Sequence, residues 1–210
     1  MQDQLKISRF GLIRHAQTDW NREKRIQGQS DSPLTADGQR QASSWGQILS
    51  PFSWTRILAS DTGRALTTAE RINAFLKIPI ETDPRLREQD WGGWVGKTIA
   101  QVKAEQALEL AEQISAGWDF CPPGGEDRKS VLARSQGALQ EAFTRWPGEN
   151  ILVVTHEGVI KSLVYHLCGR NFLPSEPPLL KSYRLHRLAH DRNGLRLEAA
   201  NALALGSTSQ

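Results

Sequence analysis

Asn150-Ile151-Leu152-Val153-Val154-Thr155, running straight into His156-Glu157-Gly158, is the stretch from which the fold can be read. Its apolar, β-branched core is of strand length and lacks the alternation of a strand with one wet face. Such a strand is buried on both sides, at the centre of a mostly parallel sheet. Gly158–Leu167 behind it carries a helical pattern. Working back toward the N-terminus, Val131–Trp146 reads as a helix with Leu132, Ser135, Leu139, Ala142 and Phe143 on one side. Before it come a short strand at Ile78–Glu81 and a helix at Thr62–Leu76, striped by Ala65, Ala69, Ile72 and Leu76. Thr55–Ala59 is a second strand, and Ala36–Leu49 a helix capped by Thr35 with Ala42, Trp45 and Leu49 on one face. Ser8–Ile13 is the first buried strand. In the other direction, Tyr183–Leu188 and Leu195–Ala199 flank a turn at 190–194 and read as an antiparallel hairpin. The predicted fold is α/β: a three-layer α/β/α sandwich, its central sheet mostly parallel with an antiparallel C-terminal edge hairpin.

The chain has 210 residues, a length that suits one domain spanning 1–210. The polar stretch 98–114 is expected to be helical and external. It belongs to a helical, cap-like insertion at about 98–126, ending in the loop Cys121-Pro-Pro-Gly-Gly-Glu-Asp127. No apolar run approaches the length of a membrane helix, and the N-terminus lacks a signal-like apolar segment. Cys121 and Cys168 form no CxxC and read as reduced thiols, so a cytoplasmic location is expected. Lys and Arg total 26 against 23 Asp and Glu, a net charge of +3. These charges are scattered, which argues against a nucleic-acid partner and leaves room for a small anion. None of the predicted helices carries a His pair at zinc-ligand spacing, so no metal is expected.

Ligands of open α/β sheets bind beyond the C-terminal strand ends. There stand Arg14 and His15 after the first strand, and Ser60-Asp61-Thr62-Gly63-Arg64 after the second. Glu88 follows a few residues beyond the third, and His156 ends the central strand. Taken singly, each residue has a plainer reading: a core histidine, or a charge at the surface. Taken together at one sheet edge, they form a site for a dianion. Arginine forks bind phosphate oxygens, a neutral imidazole can attack phosphorus, and a carboxylic acid can protonate the departing oxygen.

These segments resemble the histidine phosphatase superfamily, also called phosphoglycerate mutase-like. The likeness runs through LIRHAQTDWN (12–21), RIQGQSDSPLTADGQRQA (25–42), SDTGRALTTAE (60–70), PRLREQDWGGWVGKT (84–98), PPGGED (122–127) and VVTHEGVIKSL (153–163). The resemblance implies that His15 is the phosphorylated nucleophile and Glu88 the general acid and base. It implies that Arg14, Arg64 and His156 form the phosphate pocket and share in catalysis. Asn21 matches a phosphate-contacting amide, and Gln27 and Gly28 a loop at the substrate entrance. Asp31, Pro33, Leu34, Thr35 and Gly38 match a segment read as structural. Two residues depart from the family pattern. Ala16 replaces a usual Gly and is expected to fit if its φ is negative. Glu157 replaces another, and is expected to point away from the pocket or to pair with Lys161.

Members of the family divide into phosphatases and mutases. The segment between Glu88 and His156 lacks both an Arg-Arg pair and tyrosine, and its middle, 101–118, is net acidic. A phosphatase is therefore favoured, acting on a small phosphorylated metabolite of the α-ribazole phosphate or sugar or acid phosphate type. A cofactor-dependent phosphoglycerate mutase is the alternative, and an inactive phospholigand-binding relative a third. No cofactor is expected for a phosphatase. Glu88 must start protonated, so an acidic optimum is expected. Substrate size is assigned to residues 98–126 and to Trp91, Trp94 and Trp118. Glu126 is read either as facing the pocket mouth or as capping the next helix. The C-terminal hairpin could be a free edge or a dimer contact, so the chain is a monomer or a homodimer.

Overall fold

The computed structural model of the protein describes residues 7–206. In chain order its elements are β1 (Ser8–Arg14), α1 (Asp19–Arg22), α2 (Ala36–Leu49), β2 (Arg56–Ala59), α3 (Gly63–Leu76) and β3 (Ile80–Thr82). There follow α4 (Ile99–Glu105), α5 (Ala107–Ser115), α6 (Arg128–Arg145), β4 (Asn150–Thr155), α7 (Glu157–Leu167), β5 (Arg184–Asp191) and β6 (Gly194–Ala204). The strands form one sheet in the order β3-β2-β4-β1-β5-β6. β4 pairs in parallel with β1 and β2, and β3 with β2; β5 and β6 add the antiparallel edge.

The period of two in β4 sends alternate side chains to opposite layers. Ile151 and Val153 pack with Phe10, Leu12 and Leu58 beneath Leu139 of α6 and Val159 and Leu163 of α7. Leu152 and Val154 pack with Ile13, Ile57 and Ala59 against Trp45 and Leu49 of α2 and Ala65 and Ile72 of α3. All four β4 side chains are fully buried. Burying an aliphatic side chain of this size contributes about 1.5–3 kcal/mol. Two apolar layers of this kind fix the strands, and the strand ends carry the polar residues between them.

Several boundaries differ from the sequence reading. The third strand begins at Ile80 rather than Ile78. The Asn73 side chain accepts from the Ile78 amide at 2.9 Å and donates to its carbonyl at 2.8 Å, holding Ile78 in the turn that ends α3. α6 starts three residues early because Asp127 caps it, accepting from the Ser130 amide at 2.7 Å. The 98–114 stretch is two helices, broken at Gln106, whose side chain accepts from the Trp94 indole. It is also less external than expected: Val102 and Leu110 join Ile26, Trp94 and Phe120 in a third apolar cluster. The hairpin strands run longer, leaving a turn of Arg192 and Asn193 between them.

Candidate active site

Arg14 ends β1 and His15 follows it at the C-terminal edge of the sheet. The His15 Nδ1–H donates to the Ala16 carbonyl at 2.8 Å. A carbonyl only accepts, so the proton sits on Nδ1 and Nε2 keeps its lone pair. Arg64 Nε donates toward that lone pair at 3.3 Å. Ala16 has a negative φ and fits without strain; its amide donates to Thr68 Oγ1 at 3.1 Å.

His156 has the opposite tautomer. Arg64 Nη2 lies 3.2 Å from its Nδ1, and a guanidinium only donates. Nε2 therefore carries the proton and points to Ser60 Oγ at 2.9 Å and Thr62 Oγ1 at 3.3 Å. The two imidazole centroids are 5.2 Å apart. Burial first, then the charges of Arg14 and Arg64, hold His15 well below the ordinary histidine range. His156 is pushed the same way by burial, then by Arg64 and its other cationic neighbours. Both rings are neutral at physiological pH.

Arg64 is almost fully buried and organises the floor of the site. Its Nη1 donates to the Ser30 carbonyl at 2.6 Å and to Asp31 Oδ1 at 3.1 Å; Nη2 donates to the Gly28 carbonyl at 2.7 Å. Gly28 reaches this position with φ +53°, a conformation strained for a side-chain-bearing residue. Asp31, read as structural, is thus a direct partner of Arg64.

The Glu88 carboxylate accepts from the Gln89 amide at 2.8 Å and the Gly158 amide at 3.1 Å. Gly158 leaves the Glu88 carboxylate its place: a Cβ there would lie 2.2 Å from Glu88 Oε1, and the carboxylate would have to move. The acid's backbone is tied down by a residue the sequence reading missed. Arg134 on α6 donates to the carbonyls of Glu88 at 3.0 Å and Arg85 at 2.6 Å. Glu126 is neither a cap nor a gate, because its carboxylate grips Arg134 at 2.7 and 2.9 Å.

Of the two expectations for Glu157, the pairing with Lys161 is found, and the side chain does not turn away. Its carboxylate bridges Arg14 Nη1 at 2.6 Å and Lys161 Nζ at 2.7 Å. Burial opposes ionisation, yet these two cations hold the carboxyl below its ordinary range. Arg14 keeps one buried donor, Nε, with no protein partner, and Gln27 likewise has an unpaired Oε1. Asn21 closes the cap of α1, accepting from the Thr18 amide through Oδ1 at 3.2 Å, which leaves its side-chain amide nitrogen for a ligand.

All eight expected site residues line one cavity or sit in its floor. Arg14, His15, Asn21, Gln27, Gly28, Arg64 and Glu88 line it, and His156 lies beneath, bonded to Arg64. The cavity holds about 600 Å³, several times what a phosphate fills. Its outer wall was only partly foreseen. Trp91 and Ile99 line it, but Trp94 is buried in the third cluster and Trp118 packs on Phe172 outside it. The wall also takes in Arg128, Tyr165, and Phe172, Leu173, Pro178 and Leu180 of the irregular connection between α7 and β5. That connection has no periodicity by which a sequence could announce it.

Residues 10–203 match the model of the histidine phosphatase superfamily, branch 1. The chain belongs to this superfamily. It is 37% identical over 158 residues to a probable phosphoglycerate mutase, GpmB, of Cronobacter sakazakii, covering 75% of this chain and 74% of that one. The solved structure of YhfR from Bacillus stearothermophilus resembles it with a TM-score of 0.85 and 32% identity, over 94% of this chain and 98% of the other. A mycobacterial glucosyl-3-phosphoglycerate phosphatase, solved with VO3, gives a TM-score of 0.80 and 30% identity, over 93% and 99%. Relatives within the superfamily thus include one named a phosphatase and one named a mutase, and the overall fold is shared with the solved structures.

Proposed function

We propose that this histidine phosphatase superfamily member hydrolyses phosphate monoesters without a metal, through a phosphohistidine on His15. The observation that carries the reading is the tautomer of His15. Its Nδ1 proton is spent on the Ala16 carbonyl, so Nε2 presents a lone pair in the cavity beside Arg14 and Arg64.

The ester binds as a dianion to the unpaired Nε of Arg14 and the Asn21 amide, with the charge of Arg64 behind it and His156 bonded to Arg64. Nε2 of His15 attacks phosphorus; the N–P bond forms as the ester P–O bond breaks, and Glu88 gives its proton to the leaving oxygen. The Glu88 carboxylate then takes a proton from water, whose oxygen attacks the phosphohistidine and releases phosphate and neutral His15. The arginines supply the positive charge this transfer needs.

Hydrolysis of p-nitrophenyl phosphate in EDTA tests the reading. Wild type is expected to turn over, and His15→Ala to lose at least about a thousandfold in kcat. A His15→Ala variant that kept most of the activity would exclude the covalent route. The likeness to GpmB keeps phosphoglycerate mutase as a second reading. Isomerisation of 3-phosphoglycerate primed by 2,3-bisphosphoglycerate, faster than phosphate release, would favour it.

A further inference from the structure

We propose that Arg128 forms a second anion subsite in the cavity, so that the substrate is a phosphate monoester that also bears a carboxylate. This rests on the phosphatase reading and names its substrate class.

Arg128 is the first residue of α6 and lines the same cavity as His15, Arg14 and Glu88. Its guanidinium carbon lies 4.2 Å from the ring centroid of Phe120 and 4.4 Å from that of Phe172. Nη1 donates to the Gly117 carbonyl at 2.8 Å. Among the described residues no carboxylate pairs with it, whereas the other arginines of the cavity each have one. Arg14 has Glu157, Arg25 has Glu23 and Arg64 has Asp31. Glu176 also lines the cavity, but its carboxylate accepts from the amides of Asn171 and Leu173.

A half-buried cation without a counter-ion is costly, and two aromatic faces offset only part of that cost. Burial lowers the Arg128 pKa to about 10, and Tyr165 is the one group that opposes the shift. Arg128 is still charged at neutral pH. With Nη1 committed, Nε and Nη2 remain as a side-on pair of donors, the edge that receives a carboxylate through two parallel bonds. The two rings hold that edge in place before any ligand arrives, so little side-chain entropy is lost on binding. A neutral sugar or an unsubstituted aromatic ring would leave the charge uncompensated. The net-acidic 101–118 segment hid this clamp from the sequence reading, because the cation stands outside it, at the start of α6.

The test compares kcat/KM for two matched pairs: 3-phosphoglycerate against glycerol 3-phosphate, and 6-phosphogluconate against sorbitol 6-phosphate. Wild type is expected to prefer the acid in at least one pair by about tenfold or more. Arg128→Gln should collapse that ratio to near one, mainly through a raised KM for the acid. Arg128→Lys, which keeps the charge but loses the fork, should give an intermediate ratio, and serves alone if the Gln variant does not fold. A merely structural role would lower turnover of acid and neutral substrates together and leave the ratio unchanged. That result, or a wild type without preference in either pair, overturns the proposal. Wild type inert even toward p-nitrophenyl phosphate would instead overturn the phosphatase reading beneath it.

Discussion

Two residues behind the central strand tune the site by what they allow next to them. Gly158 leaves space for the Glu88 carboxylate, which lies where its Cβ would be. Gly158→Ala is expected to displace the acid and lower kcat by about a hundredfold or more, the usual scale for a misplaced general acid. Phosphate affinity should change little, and a thermal melt should show the fold intact. Glu157 acts in the other direction. Its carboxylate occupies Arg14 Nη1, where it would compete with a phosphate anion. In Glu157→Gln that guanidinium is released, and inorganic phosphate should inhibit about three- to tenfold more tightly, up to roughly 1.4 kcal/mol. Weaker inhibition would mean that Glu157 instead holds Arg14 in its binding pose.

At the scale of elements, helices position the loops that line the cavity. α6 does so through Arg134, which joins the carbonyls of Arg85 and Glu88 to the Glu126 carboxylate. Arg134→Met keeps the length of the side chain and removes all four bonds. It should reduce kcat by about tenfold with a smaller change in KM, since the acid and not the phosphate floor is loosened. The end of α3 is a structural counterpart. Asn73 satisfies both backbone groups of Ile78, and neither residue lines the cavity. Asn73→Ala is expected to cost about 1–2 kcal/mol in urea unfolding while leaving kcat within about twofold.

Across the whole molecule, four buried or half-buried histidines are held neutral. His15 and His156 lie well below the ordinary value, His186 is pushed down to about 4 by burial, and His190 is lowered by burial too. The unfolded chain takes up protons near pH 6.5 that the folded chain refuses. Stability is therefore complete above about pH 6.5 and falls as the pH drops toward 4, each neutral histidine adding a slope of up to about 1.4 kcal/mol per pH unit. Urea midpoints in phosphate-free buffer should fall between pH 7 and pH 5. A flat profile would show that these rings protonate without unfolding. Because His15 is neutral well below pH 6.5, activity should not decline through that pH either, although stability begins to.

The sequence by itself determined the layers and which polar residues meet at one sheet edge, for a physical reason. A buried parallel strand is a continuous apolar run, and in such a sheet the polar residues at its C-terminal end are the ones that meet. Ile151–Val154 therefore disclosed the centre of the fold, and Arg14, His15, Arg64, Glu88 and His156 were legible from their places after strands. What only the tertiary structure decided are pairings between residues distant in the chain and silent in local pattern. Arg134 reaches back to Glu88, Glu157 turns to Arg14, and Asp31 joins Arg64. Arg128 lies between Phe120 and Phe172, the latter on a connection without periodicity. Local propensity and hydrophobic period record how a segment is buried; they do not record which side chain crosses the cavity to meet it. The polar residues at the sheet edge were therefore legible in the sequence, and the shape of the cavity around them was decided only by the packing.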